Sequence, residues 1–182
     1  MRSALVAACT VLIVSVAAAQ ETQYAAPDGA FAIRPPAGWS VTRTQVGREG
    51  FSTAFAAGPD EAAAKIDIVS FALAVNLATV DDVAEVLLTP ILQNLQAQGQ
   101  IISQRTRRMK VGGFPAIRYD MVYQSRAEAE AEQGYMMAIL GKRFALLAAV
   151  SARRSDEVNR HAGEAAMATL AIESTTPGKA PR

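Results

Sequence analysis

Asp28-Gly29-Ala30-Phe31-Ala32-Ile33-Arg34-Pro35-Pro36-Ala37-Gly38-Trp39 is the stretch on which the reading of this 182-residue chain turns. It opens on the turn signal Pro27-Asp28-Gly29, where proline presets one dihedral, the aspartate side chain can bond its own backbone and glycine takes positive φ. Phe31-Ala32-Ile33 alternates as a short strand, which Pro35-Pro36 ends because proline has no N–H to give to a ladder. Ala37-Gly38 then turns the chain. Trp39-Ser40-Val41-Thr42 is expected to return as a second strand, with Trp39 and Val41 on one face.

Upstream the character changes. Met1–Gln20 reads MRSALVAACTVLIVSVAAAQ: one basic residue, Arg2, an apolar run from Ala4 to Val16, then Ala17-Ala18-Ala19. This is the pattern of a secretory signal peptide over residues 1–19, cut between Ala19 and Gln20. The run is too short to span a bilayer, which takes about 18 residues or more. Val6-Ala7-Ala8-Cys9 looks like a lipobox, but acylation at Cys9 would leave no proper hydrophobic region upstream of it. Residues 20–27 are read as a flexible leader, 28–174 as a single domain and 175–182 as a disordered tail.

Of the whole chain 51% is apolar, yet 37 residues are alanine, so the figure overstates the core. Removing residues 1–19 takes away Arg2 and the only cysteine, and leaves 17 basic against 17 acidic residues. A neutral chain is no electrostatic binder of nucleic acid. Without cysteine no disulfide can form in an oxidising compartment, so packing must supply the stability. The expectation is a periplasmic or secreted protein with no membrane span after signal removal and no cofactor.

Downstream of Trp39, strands are expected over Phe51–Ala57 and Lys65–Val75. Thr79-Val80-Asp81-Asp82 starts a helix, with Val83, Leu87, Ile91 and Leu95 as its stripe. Pro90 is expected to divide it, Thr89-Pro90 beginning a second piece that Gly99 stops, since a proline inside a helix costs about 3 kcal/mol. Strands over Gln100–Val111, Phe114–Gln124, Gly134–Leu140 and Arg143–Ala152 form an antiparallel meander turned by Gly112-Gly113 and Gly141-Lys142. Phe144 to Val150 is apolar on both faces and demands cover on both sides of the sheet. A last helix follows Ser155-Asp156-Glu157, its expected inner stripe being Val158, Ala162, Ala165 and Thr169.

The opening Phe31-Ala32-Ile33-Arg34-Pro35-Pro36-Ala37-Gly38-Trp39 resembles the F-x-I-x-x-P-x-G-W start of the PsbP-like proteins, which include the bacterial DcrB-type periplasmic proteins and share a fold with the nuclear transport factor Mog1. Val111-Gly112-Gly113-Phe114-Pro115-Ala116 is similar to the family's G-x-P-A strand start, and Gly141-Lys142-Arg143-Phe144 to its long hairpin. The resemblance runs from Ala30 to Ile172. It implies an α+β fold, an antiparallel sheet between helices (the α/β/α sandwich of the Mog1/PsbP-like type), and no single activity. It implies a non-catalytic binding protein with an envelope protein partner. The alternative is a carrier of a small apolar or lipid-like ligand between sheet and helices.

The candidate chemistry is sparse. His161 is the only imidazole, so catalytic triads and multi-histidine zinc sites are excluded by inventory, and it is expected on a helix surface. Glu128, Glu130 and Glu132 form the one acidic cluster that could gather a hard cation; a solvated hairpin tip is the preferred reading. Arg105, Arg107, Arg108 and Lys110 crowd one strand, with Arg105 and Arg107 pointing the same way, and are the candidate surface for an acidic partner, with Glu128–Glu132 as a possible internal counter-charge. Trp39, Tyr119, Tyr123, Tyr135, Met136 and Met137 could line an apolar pocket but read first as core. A hydrolase would need paired carboxylates such as Asp67 and Asp120 to converge. Gly112-Gly113 lacks the lysine and helix of a phosphate loop.

Overall fold

A computed structural model describes residues 22–173, apart from 49, 60–63, 74–76 and 129. The expected signal peptide, the Ala19–Gln20 cut, the first leader residues and the 175–182 tail lie outside the described residues. The elements are β1 (Tyr24–Ala25), β2 (Phe31–Ile33), β3 (Ser40–Val46), β4 (Gly50–Ala56), β5 (Lys65–Ala72), α1 (Val80–Gln98), β6 (Gly99–Val111), β7 (Phe114–Ser125), β8 (Glu132–Leu140), β9 (Phe144–Arg153), α2 (Glu157–Met167) and β10 (Ala171–Ile172). Seven strands make one antiparallel sheet in the order β3-β4-β5-β9-β8-β7-β6, and three make a small sheet, β1-β2-β10. The fold is antiparallel α+β.

Strand alternation divides the core in two. Ala145 and Leu147 of β9 join Met136 and Ala138 of β8 under Val83 and Leu88 of α1. Leu146, Ala148 and Val150 join Ile66, Ile68, Tyr135, Met137 and Ile139 with Ala166 and Met167 of α2, together with Phe31 and Ile33 of the small sheet. The doubly apolar strand therefore finds cover on both faces. The β6–β7 hairpin closes at Gly112 and Gly113, whose φ of 57° and 90° fit a two-residue turn that side chains disfavour.

Three local expectations are corrected. The first concerns Trp39 and Val41. Strands β2 and β3 belong to different sheets, and Trp39 precedes β3 and packs against the core, whereas Val41 is 51% exposed. Strand β3 is a sheet edge that no helix covers.

The second concerns Pro90. Helix α1 is continuous through it. The carbonyl that loses its donor is that of Val86, whose residue is exposed and can be hydrated. Burying Val83 and Leu88 returns about 1.5–3 kcal/mol each, enough to offset the proline. Thr79 caps the helix as expected, in a reciprocal capping box with Asp82.

The third concerns the inner face of α2. Val158 is 80% exposed and Ala165 is exposed; the buried residues are Gly163, Ala166 and Met167. Gly163 sets this register. A Cβ there would sit 3.1 Å from Val150 Cγ1 and 3.4 Å from Trp39, tighter than ordinary contact, so a side chain at this position would push its neighbours aside.

Asp28 ties the small sheet to the large one. Its carboxylate accepts hydrogen bonds from Arg43 Nη2 at 2.9 Å, Ser70 Oγ at 3.1 Å and the Ala30 N–H at 3.1 Å, while Arg43 stacks over Phe51 at 4.2 Å. Hydrogen bonds to charged groups contribute about 1.5–3 kcal/mol. Asp28→Ala is expected to cost about 2 kcal/mol and lower Tm by about 4–8 °C in a domain of this size. Ser70→Ala in the Asp28→Ala background should add little, which thermal melts of the single and double variants will check.

Candidate functional site

The basic strand is split by its own alternation. Register pairs Arg105 with Asp120 and Arg107 with Arg118, while Arg108 pairs with Ile117 and Lys110 with Pro115. Asp120 and Arg118 in turn pair with Tyr135 and Met137, which belong to the α2-side core, and Ile117 pairs with Ala138 of the α1-side core. Arg105 and Arg107 thus share the α2 face, as expected; Arg108 and Lys110 lie on the other. Arg108 confirms the assignment by making two hydrogen bonds, of 3.0 and 2.6 Å, to Asp81 in the first turn of α1. Those bonds hold the Asp81 carboxyl below its ordinary range and push the Arg108 guanidinium up.

On the α2 face the groups converge. Asp120 accepts from Arg118 Nε at 2.7 Å and Nη2 at 2.6 Å, and Arg107 Nε lies 3.3 Å from it. The Arg118 guanidinium lies 3.4 Å over the Tyr135 ring. Burial pushes the Tyr135 phenol up to about 12, with Arg118 opposing. Across the face, Arg160 of α2 donates to Glu164 at 2.9 Å.

Helix α2 packs on β9 and β5, and among the described residues no helix packs closely on the α2 face of β6 and β7. What remains is a groove. One hollow of 240 Å³ is lined by Ser103, Arg105, Arg118, Asp120, Gln133 and Glu164. A second, of 260 Å³, is lined by Met109, Val111, Arg118, Tyr135, Glu164 and Leu170. They meet at Arg118 and Glu164. Arg105 and Arg118 line the hollows with Asp120 and Glu164, Lys110 of the edge strand joins them in the second, and Arg105 has no ion-pair partner among the described residues. The groove is cationic.

The other candidates disperse. Glu130 accepts from the Ser155 N–H at 2.7 Å and secures the turn into α2, Glu132 is half-buried on β8 and Glu128 is exposed. Among the described residues no three potential ligands gather for a metal ion. Nor does this segment neutralise the basic strand: Asp81 and Asp120 do, because the arginines lie toward the Gly112 end of the hairpin and Glu132 pairs with Tyr123 near the other. Asp67 pairs with Ala149 and Asp120 with Tyr135, on opposite faces of the sheet, so the two carboxylates cannot converge. His161 is exposed beside Arg160. The six aromatic and methionine residues do not share one pocket, because Tyr119, Tyr123 and Met136 face α1 while Trp39, Tyr135 and Met137 face α2.

Sequence reasoning missed Arg118, Arg160 and Glu164. Arg118 and Asp120 stand two apart on a strand and so share a face, and Arg160 and Glu164 stand four apart on a helix; both spacings were there to be read.

With this geometry the chain superposes on solved structures. Cyanobacterial PsbP (CyanoP) from Synechocystis sp. PCC 6803 matches with TM-score 0.59 at 11% identity, over 83% of this chain and 91% of that one. The chain has the PsbP-like fold. LpqN, involved in cell envelope biogenesis of Mycobacterium tuberculosis, matches with TM-score 0.53 at 13% identity, over 84% of this chain and 90% of that one. A protein from Bacteroides thetaiotaomicron VPI-5482 matches with TM-score 0.51 at 13% identity; 86% of this chain spans 50% of its length. In sequence, no family model and no curated protein matches the chain. Among the described residues no helix is long and apolar enough to cross a membrane.

Burial raises the carboxyls of Glu132 and Asp67 above their ordinary values, with Lys65 opposing in both cases. A carboxyl raised in the folded state binds its proton more tightly there, so stability falls as pH rises from the unfolded value through the folded one. Glu132→Gln is therefore expected to raise Tm at pH 7. The gain should vanish below about pH 4, where both states are protonated, and melts from pH 3 to 8 will read it.

Proposed function

We propose that the chain is an exported, non-catalytic binding protein that takes an acidic segment of an envelope protein partner into the groove between α2 and the β6–β7 hairpin. The observation that carries this is the groove's charged lining, Arg105, Arg118 and Lys110 against Asp120 and Glu164, with Arg105 unpaired among the described residues. Arginine suits the task, since its planar fork takes a carboxylate with two hydrogen bonds. A non-catalytic role is supported by the separation of Asp67 from Asp120 and the exposure of His161. The fold shared with CyanoP and with LpqN, the latter involved in cell envelope biogenesis, agrees with a site in the envelope.

The wider reading places one folded unit over residues 28–174, with the sheet layered between helices in the α/β/α manner. Export would follow cleavage after Ala19, leaving a periplasmic or secreted chain. N-terminal sequencing of the protein recovered from its host's envelope fraction should begin at Gln20. An intact Met1 would remove export by this signal.

Affinity capture from the same fraction, with the protein as bait, should recover a partner that 0.5 M salt releases. The R105E/R107E variant should lose it while melting normally. A partner held equally by that variant would place binding elsewhere.

A further inference from the structure

Strand β6 ends the seven-stranded sheet, with β7 along one edge and, among the described residues, no strand along the other. After a bulge between Ile101 and Ser103 its pairing with β7 runs unbroken to Val111, and every residue from Ser103 to Lys110 is exposed. The hairpin decides which backbone groups of that edge are free. Its two-residue loop, Gly112-Gly113, makes Val111 and Phe114 a pair that exchanges both hydrogen bonds, so by alternation Met109, Arg107, Arg105 and Ser103 turn their N–H and C=O groups to β7. Gln104, Thr106, Arg108 and Lys110 turn theirs outward. The Arg126 N–H, which donates to the Gln98 carbonyl at 3.1 Å, gives the same alternation from the far end once the extra residue of the bulge is counted.

A long exposed edge is a template for another strand, and here the side chains choose which. Ser103-Gln104-Arg105-Thr106-Arg107-Arg108-Met109-Lys110 carries four cations and no carboxylate. A second copy of β6 would set cation against cation, which destabilises a strand pair. An acidic strand is drawn in. Asp120 and Asp81 engage Arg107 and Arg108, but Arg105 and Lys110 have no ion-pair partner among the described residues. From these observations we infer that β6 takes an acidic, extended segment of a partner protein as an eighth strand of the sheet, antiparallel like the other seven. The outward backbone groups bond the segment and the basic side chains select it. Arg105 and Arg107 meet it in the non-hydrogen-bonded pairs, where facing side chains stand closest, so acidic residues at every second position lie against them in the groove. This pairing rests on the proposed function, an acidic partner segment at the arginine groove, and gives that segment its conformation and direction.

The probe is a nine-residue peptide of alternating threonine and glutamate, blocked at both ends, long enough to run from Ser103 to Val111. Titrated into ¹⁵N-labelled protein it should bind saturably, and at about ten times its Kd amide exchange at Gln104, Thr106, Arg108 and Lys110 should slow about tenfold. Ser103, Arg105 and Arg107, already bonded to β7, should change little. The threonine amides face β6 when the glutamates lie against Arg105 and Arg107, so N-methylating them should weaken binding roughly tenfold or more, and N-methylating the glutamate amides should not. A peptide that binds while the four amides still exchange freely, or with equal or reversed sensitivity to the two methylations, would overturn this strand addition and leave the groove reading standing. No saturable binding up to about 1 mM would overturn both. Protection of the four amides before any peptide is added, in protein that sediments as a dimer, would put a second copy on the edge and overturn the assignment.

Discussion

Strand β9 is buried on both faces, and the rest of the molecule is arranged around that constraint. A strand with Ala145, Leu147 and Ala149 on one side and Leu146, Ala148 and Val150 on the other cannot be an edge, and it lies between β5 and β8 with three strands on either side. Each face then needs its own cover. The two covers are unequal. Helix α1, of 19 residues, packs on β6, β7, β8 and β9, but α2 has 11 residues and lies over β9 and β5. Strands stand about 4.8 Å apart and a helix is about 10 Å wide, so one short helix covers about two strands of seven. The small sheet contributes Phe31 and Ile33 to the same core. Among the described residues no helix packs closely on the far strands of that face, and this mismatch of widths leaves the arginine groove.

What the sequence made legible follows the range of each interaction. Turns, caps and alternation are local, and Asp28-Gly29, Thr79 with Asp82, Gly112-Gly113 and the strands of the meander were all readable from a few neighbouring residues. The inner face of α2 was not. Val158 is the largest aliphatic residue early in that helix and suggested the stripe, but the register is decided by Gly163 against Val150 and Trp39, residues 13 and 124 positions away in sequence. Pro90 misled for the same reason. Its local cost is real, and it is outweighed by contacts with strands that the chain has not yet formed at that point.

The site was legible in part. Alternation alone put Arg105 and Arg107 together, yet the four basic residues looked like one patch because nothing local says which face of a hairpin will be covered. Their counter-charges were harder to see. Asp81 reaches Arg108 from the start of α1, 27 positions away, and could be assigned only once that helix was laid across the sheet. Asp120, by contrast, stands two residues from Arg118. That pair does more than neutralise charge. Arg118, stacked on Tyr135 and forked onto Asp120 through two of its five N–H donors, is held in place. Arg105 keeps its capacity for a ligand. Exposed ion pairs contribute little to stability, so the worth of this arrangement lies in presenting one oriented cation beside a satisfied pair.

Adjacent residues of β8 serve opposite faces of the sheet. Tyr135 lies under Arg118 in the groove, and Met136 lines a hollow on the other side. A pleated strand sends neighbouring side chains to opposite faces, yet Met121, Gln133 and Gly134 line the hollows on both sides. Sites without shared partners behave additively, whereas those joined by a common contact or a movable element couple. The hydrogen-bonded ladder from β7 through β8 to β9 passes between them, and sliding it by one residue would exchange the two faces altogether.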